Sequence, residues 1–237
     1  ENSFPSFLQE LYTKYLPVTT GRTTDILPQL QGADPQTFAI AAVDLAGGVH
    51  AVGEYEKKIP IQSISKPFMY GMALEDMGEE YIRRKVGVEP TGDAFNSILR
   101  HEQVCEGLFN PMVNAGAVTI TSMIKGSSLQ ERIDRLASLF SRYVGHPVDF
   151  DQAALNSRRQ LDNQNRAIAY LMVSEGCINT SVEETVELYA HQCSVSLDCR
   201  DLALMAATLA NGGVNPLSGQ QLISRRYIQN ILSVMFS

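Results

Sequence analysis

The sequence predicts an α+β protein in which helices outnumber strands. Apolar residues recur at helical spacing over most of the chain after Ser63, whereas only the stretches 38–45 and 49–52 read as strands. Gly47-Gly48 can turn the chain between them, so they are predicted to form an antiparallel hairpin. Because an isolated hairpin is only marginally stable in water, the sheet needs further strands. We expect those strands to follow Ser237.

The helices are predicted from apolar periodicity. The first covers 7–15 and ends before Pro17. The same spacing predicts helices over residues 65–77, 79–86, 114–125, 129–144, 165–174, 182–193, 200–211 and 224–236. Thr180 and Glu183 form a candidate capping box for the helix that follows them. The last stretch is still apolar where the sequence ends, without a glycine cap. We therefore expect residues 1–237 to be a single domain that is incomplete at its C-terminus.

Composition and charge exclude several classes of protein. A chain of 237 residues can bury a sizeable core, and a net charge of -7 argues against binding nucleic acid or an anionic membrane. No apolar run approaches the length of a membrane span, and the first residues given do not show a signal-peptide pattern. The histidines fall singly, so we expect no metal site. The cysteines form no C-x-x-C pair and are expected to be reduced thiols in a cytoplasmic protein. They are Cys105, Cys177, Cys193 and Cys199.

The stretch Gln62-Ser63-Ile64-Ser65-Lys66-Pro67-Phe68 carries a candidate nucleophile and its base. Ser63 and Lys66 are three residues apart, which places them one turn apart on one helical face. A serine hydroxyl needs a neighbouring base to become nucleophilic. A buried lysine can be that base, because desolvation lowers its pKa. The pattern predicts acyl transfer through an acyl-serine; a serine that merely caps the helix is the alternative.

A second Ser-x-x-Lys pattern, Ser122 to Lys125, serves as an internal control. It lies within an apolar run that reads as one buried helix, so Ser122 is predicted to be structural. The context of Ser63 differs, because Pro60 disfavours helix before it and Pro67 is tolerated only in the first turn of a helix. Ser63 is therefore predicted to lie at a helix N-terminus, where backbone N–H groups are available to an oxyanion.

Longer motifs identify a family resemblance. The stretch 62–68 and Phe109-Asn110-Pro111-Met112-Val113-Asn114-Ala115-Gly116-Ala117 resemble two signatures of the serine-dependent glutaminases, and 165–170, 188–193 and 205–213 match as well. The similarity runs from about Asp25 to the end. It implies a β-lactamase/transpeptidase-like fold, an α/β/α sandwich with an antiparallel sheet flanked by helices. It also implies cofactor-free hydrolysis of L-glutamine to L-glutamate and ammonia.

The resemblance also assigns roles to individual residues. Ser63 would be the nucleophile and Lys66 its base, while Asn114, Asn165 and Tyr189 would contact the substrate beside Gln62 and Ser63. Asparagine amides suit an amino-acid ligand, because they donate to its carboxylate and accept from its ammonium. From the residues alone, the two asparagines could instead be helix caps and the tyrosine ordinary core.

Three departures from the family pattern leave alternatives open. Arg158 stands where the family has a glutamate that binds the substrate ammonium, and Ile26 stands where it has a tyrosine. The family's Cys-Gly-Met-Tyr-Asp and Lys-Ser-Gly stretches lie beyond the sequence. Arg158 could repel the ammonium, turn to solvent or pair with Asp162. The alternatives to a glutaminase are a non-catalytic homologue that serves as a ligand-binding protein or scaffold, and an acyl-serine hydrolase with an acidic substrate. A homodimer or homotetramer is expected from the resemblance.

Overall fold

The computed structural model describes residues 3–23, 32–90 and 109–236. The helices in this part of the chain are α1 (Phe4–Tyr15), α2 (Lys66–Met77), α3 (Glu79–Arg83), α4 (Asn114–Ser122), α5 (Leu129–Val144), α6 (Gln152–Leu161), α7 (Asn163–Ser174), α8 (Val182–Ser194), α9 (Cys199–Ala210) and α10 (Arg225–Phe236). The strands are β1 (Ala39–Val43), β2 (Val49–Gly53), β3 (Ile59–Pro60), β4 (Asp149–Phe150) and β5 (Val195–Leu197).

The described strands form two antiparallel sheets. The predicted hairpin is confirmed, because β1 pairs with β2 from Ala39 opposite Gly53 to Val43 opposite Val49. The second sheet has the order β3-β5-β4 and was not predicted. Its strands are two or three residues long, too short for any alternation of apolar and polar side chains to show in the sequence. β3 leads directly into the segment that carries the Ser-x-x-Lys motif.

Helix α2 is the centre of the larger apolar core. Every residue from Lys66 to Leu74 is buried, and α4 and α10 pack against this helix. Phe68 lies edge-on to the rings of Phe140 and Tyr143 in α5, with ring centroids 6.2 and 5.0 Å away. Because the start of α2 is enclosed in this way, polar atoms there are held in a fixed, largely dry environment.

Several predicted boundaries are corrected by the structure. Helix α6 was not predicted, since its ten residues contain few apolar side chains; it is initiated by Asp151, whose side chain accepts from Ala154 N. The cap of α8 is Ser181, not Thr180, and it accepts from Glu184 N. Ser122 is the last residue of α4 rather than a mid-helix residue. Its buried hydroxyl donates to Thr119 O at 2.7 Å, which confirms a structural role.

The expectation of four reduced cysteines is wrong for Cys177, which is disulfide-bonded. Cys193 and Cys199 are free thiols. Cysteine count and spacing could not show this pairing, because a disulfide depends on which cysteines the fold brings together. Cys105 lies outside the described residues. Among the helices of the described ranges, none combines the length and apolar character needed to cross a membrane.

Gly116 in α4 is predicted to be intolerant of a side chain. A Cβ at this position would overlap the backbone carbonyl of Asn110 in the loop before the helix, whereas a Cβ at Gly71 in α2 would meet only the side-chain ends of Ile223 and Ile231. Gly116→Ala should therefore lower the free energy of unfolding by about 2 kcal/mol, the usual cost of overpacking.

The matched control is Gly71→Ala, for which a gain in helix propensity of up to about 1 kcal/mol offsets a clash that side-chain rotation relieves. Urea unfolding of the two variants makes the comparison. Equal stability of the two would contradict the close approach of Asn110 to α4.

Candidate active site

A tight turn between β3 and α2 presents Ser63. Ile61 N donates to Val195 O at 2.8 Å, which ties this turn to the three-stranded sheet. Residues Gln62–Ser65 then form a single 3-10 turn that runs into α2, as predicted for a helix N-terminus. Ser63 is exposed, whereas Ser65 and Lys66 are buried. The nucleophile candidate is therefore open to a ligand while the base candidate lies inside the protein.

Lys66 is buried at the start of α2, and its ammonium donates to acceptors from the segment that opens α4. Its side chain is 3% exposed, and its Nζ donates to Met112 O at 2.9 Å and to Asn114 Oδ1 at 2.8 Å. Burial lowers the pKa of Lys66 from 10.5 to about 8, and the nearby Arg158 guanidinium acts in the same direction. Burial also raises the pKa of the neighbouring Cys193 thiol.

A chain of side-chain amides extends from Lys66 across α4 and α7. Asn114 accepts from the lysine and donates through Nδ2 to Asn165 Oδ1 at 3.2 Å. Asn165 in turn donates through Nδ2 to Asp162 Oδ1 at 2.6 Å. Neither asparagine is an N-cap: α4 is capped by Val113 without a side-chain bond, and α7 is capped by Asp162. The structure thus brings Lys66, Asn114 and Asn165 together as predicted.

Arg158 points into this cluster and pairs with Asp162. Its Nη1 donates to Asp162 Oδ2 at 3.2 Å and its Nη2 donates to Gln62 Oε1. The arginine and aspartate side chains are only 14% and 9% exposed. Of the three placements open from the sequence, pairing with Asp162 is the one observed. Ile26, which stands where the family pattern has a tyrosine, lies outside the described residues.

Tyr189 and Cys193 complete the cluster from α8. They are four residues apart on one helical face and hydrogen-bond to each other through their side chains. Burial raises the pKa of Tyr189 well above its ordinary value, so its hydroxyl stays protonated. Sequence reasoning missed Cys193 and Asp162 as site residues. The sequence features that could have indicated them are the four-residue spacings from Tyr189 to Cys193 and from Arg158 to Asp162, which place each pair on one helical face.

An apolar cavity of about 330 Å³ is lined in part by Ser63. Ile64, Pro67, Met112 and Met205 are among its lining residues, whereas Lys66, Asn114, Asn165 and Tyr189 are not. Ser63 lines this apolar cavity, and the preceding residue, Gln62, is bonded to Arg158 of the polar cluster. A ligand with amide and charged groups would be recognised by the polar side.

Comparisons with known proteins identify the family of this chain. A family model described as Glutaminase matches residues 21–237. A glutaminase of Trichormus variabilis is 47% identical over 230 residues, which are 97% of this chain and 69% of that protein. A glutaminase of Microcystis aeruginosa is 44% identical over 234 residues, which are 99% of this chain and 69% of that protein.

Solved structures extend the likeness to three dimensions. The structure of a probable glutaminase, ybaS, matches with a TM-score of 0.93 at 32% sequence identity. The match covers 98% of this chain and 75% of the ybaS chain. The native form of Mglu has a TM-score of 0.91 at 34% identity, with 98% of this chain and 56% of Mglu covered. The chain therefore spans little more than half of Mglu. These findings show that the chain belongs to the glutaminase family and confirm the β-lactamase-like α+β fold.

The Arg158–Asp162 pair is predicted to be necessary for stability. Asp162→Asn keeps a capping oxygen but leaves the buried guanidinium without its counter-charge, so it should cost about 3 kcal/mol in the free energy of unfolding. The control is Glu79→Gln, which breaks the exposed ion pair of Arg83 at the same four-residue spacing. That change should cost less than about 1 kcal/mol.

Urea unfolding measures both variants. Adding Arg158→Met to Asp162→Asn should recover part of the loss, because no cation then remains unpaired. If Asp162→Asn proved no more costly than Glu79→Gln, the pair would have no stabilising role.

Proposed function

We propose that this protein hydrolyses L-glutamine to L-glutamate and ammonia through an acyl-serine intermediate, with no cofactor. The observation that carries the proposal is the exposed Ser63 one turn from a buried Lys66 whose pKa is lowered to about 8. A lysine with that pKa is partly neutral near physiological pH and can accept a proton. Membership of the glutaminase family supports the choice of substrate.

In the proposed mechanism, neutral Lys66 takes the proton of the Ser63 hydroxyl as its oxygen attacks the side-chain carboxamide carbon of glutamine. Backbone N–H groups at the start of a helical turn lack intrahelical acceptors and are available to the resulting oxyanion. The lysine then returns the proton to the leaving nitrogen, which departs as ammonia. Water attacks the acyl-serine in the second half-reaction, and glutamate is released.

The polar cluster supplies the substrate contacts in this proposal. The amides of Asn114 and Asn165, together with Gln62 and Tyr189, offer donors and acceptors for the carboxylate and ammonium of the amino acid. Asp162, whose carboxylate bonds Asn165 and pairs with Arg158, is the acidic group that this proposal assigns to the ammonium as an acceptor. Opposite charges close to each other in a partly buried site interact strongly.

A second candidate is an acyl-serine hydrolase for an acidic carboxamide. It is favoured by two buried N–H groups, Gln62 Nε2 and Arg158 Nε, that have no hydrogen-bond acceptor within the described residues. Unpaired donors beside a guanidinium favour an anionic ligand group. A non-catalytic homologue is the remaining alternative. Turnover of L-glutamine and of its desamino analogue glutaramate separates the three, since glutaramate carries the carboxylate without the ammonium.

Assembly and location remain proposals. We propose a homodimer or homotetramer that acts on a small-molecule substrate and binds neither nucleic acid nor membrane, in keeping with the net charge of -7. A cytoplasmic location is also proposed. The disulfide at Cys177 removes one argument for it, because the expectation of reduced cysteines is no longer met.

Ser63→Ala is expected to lower kcat for glutamine by several orders of magnitude, because a covalent mechanism loses its nucleophile. Ser122→Ala is the matched control, since it removes a serine from the other Ser-x-x-Lys pattern and should leave kcat unchanged. Ammonia release from glutamine and glutaramate measures both variants. Near-normal turnover by Ser63→Ala would rule out the acyl-serine mechanism.

The pH dependence should report the titration of Lys66. Because the base must be neutral, kcat/KM should fall about tenfold for each pH unit below about 8 and level off above it. Lys66→Arg should abolish activity at every pH, since arginine stays protonated. Lys85→Arg, which changes an exposed lysine bound to Gly176 O, should leave the profile unaltered. A flat profile through this range would exclude Lys66 as the titrating base.

A further inference from the structure

A second chain of hydrogen bonds, separate from the amide cluster, reaches the Ser63 turn from the interior. Thr121 Oγ1 donates to Gln192 Oε1 at 2.8 Å, and Gln192 Nε2 donates to Ser65 Oγ at 3.0 Å. Ser65 Oγ donates to the backbone carbonyl of Gln62 at 2.7 Å. All three side chains are fully buried, each with 0% exposure. We call Thr121, Gln192 and Ser65 the buried relay.

The direction of the relay follows from the donors available. Ser65 has one hydroxyl proton, and the Gln62 carbonyl can only accept, so the proton lies between them. The Gln192 atom that faces Ser65 must therefore be the amide nitrogen, and its oxygen faces Thr121. Gln192 and Ser65 therefore both donate toward the Gln62 carbonyl, while the single hydroxyl proton of Thr121 is shared between Gln192 Oε1 and Ala117 O. Hydrogen bonds aligned in this way strengthen one another in a medium of low dielectric constant.

The end point of the relay is a strained residue. Gln62 has a φ of 52°, and no other non-glycine residue of the described ranges has a positive φ. The left-handed region is unfavourable for a residue with a Cβ, so it persists only where the surroundings hold it. The relay holds the Gln62 carbonyl, and Arg158 holds its side-chain oxygen. Ser63 is the next residue along the chain.

We propose that Gln192 and Ser65 are positioning residues for the nucleophile: their hydrogen bonds keep Gln62 in its left-handed conformation and thereby fix the backbone that carries Ser63. This inference rests on the proposed function, in which Ser63 attacks the substrate. Helix α8 carries Gln192, which belongs to the relay. It also carries Tyr189 and Cys193, which lie near Lys66. α8 therefore orients the surroundings of the base and the backbone of the nucleophile together.

The test compares Ser65→Ala and Gln192→Met with Ser122→Ala in the full-length protein. Ser65→Ala removes the donor to Gln62, and Gln192→Met removes the link to Thr121 with little change in volume. Ser122→Ala deletes a buried hydroxyl that also bonds a backbone carbonyl but has no connection to the turn. The measurements are kcat and KM for glutamine, the binding of L-glutamate, the midpoint of thermal unfolding, and the Gln62 φ in crystals of each variant.

Ser65→Ala should lower kcat about 10- to 100-fold, the cost of displacing a reacting group by about 1 Å, and Gln192→Met should lower it less. KM and glutamate binding should stay near the wild-type values, because the contacts with the substrate are unchanged. In crystals of Ser65→Ala, Gln62 should leave the left-handed region. A purely structural role would instead lower the unfolding midpoint without this selective loss of kcat.

The inference is overturned if both relay variants keep kcat at the level of Ser122→Ala and Gln62 keeps its positive φ. Failure of the proposed function has a different signature, namely Ser63→Ala retaining full turnover. In that case the crystallographic φ still decides whether the relay holds the turn. If Ser65→Ala does not fold, Gln192→Met gives the same readouts from the next position along the relay.

Discussion

The burial of the Lys66 side chain is the constraint on which the rest of the site depends. An ammonium placed among the core residues of α2 is unfavourable unless its protons are taken up by acceptors. Met112 O and Asn114 Oδ1 provide two of these, and both come from the segment that opens α4. The packing of α4 against α2 therefore determines both the burial of the Lys66 amine and its pKa. Apolar packing encloses the amine, and the enclosure lowers its pKa.

The Arg158–Asp162 pair shows how the site tolerates a change in charge. An isolated guanidinium beside the lysine would add a second buried cation, which is costly. Asp162 lies one helical turn further on, at the junction of α6 and α7, and pairs with the arginine while it accepts from Asn165. The guanidinium and the carboxylate thus balance each other within the cluster. Gln62, beside the nucleophile, is bonded to the same arginine.

Local patterns account for much that was predicted correctly. Pro60 and Pro67 delimit the turn at Ser63, and the glycine pair at 47–48 defines the hairpin. Helix α6 was not predicted because a short polar helix has little local signal, and the cap of α8 was misassigned because Thr180 and Ser181 differ little in capping propensity. The second sheet could not be predicted either. A strand of two residues is stabilised by the partners that the fold brings to it.

By itself the sequence determined the class of fold, the nucleophile and base candidates, and the identity of the side chains around them. The nucleophile and base candidates follow from their three-residue spacing and from the stiffness of proline, which act within one segment, whereas the side chains around them were assigned by the family resemblance of longer motifs. Only the tertiary structure decided that Arg158 pairs with Asp162, that Cys193 bonds Tyr189, and that Gln192 reaches Ser65. Gln192 and Ser65 lie on separate elements, so no local pattern relates them. The two four-residue pairs were possible from their spacing, but whether they form depends on burial and distance, which the spacing does not encode.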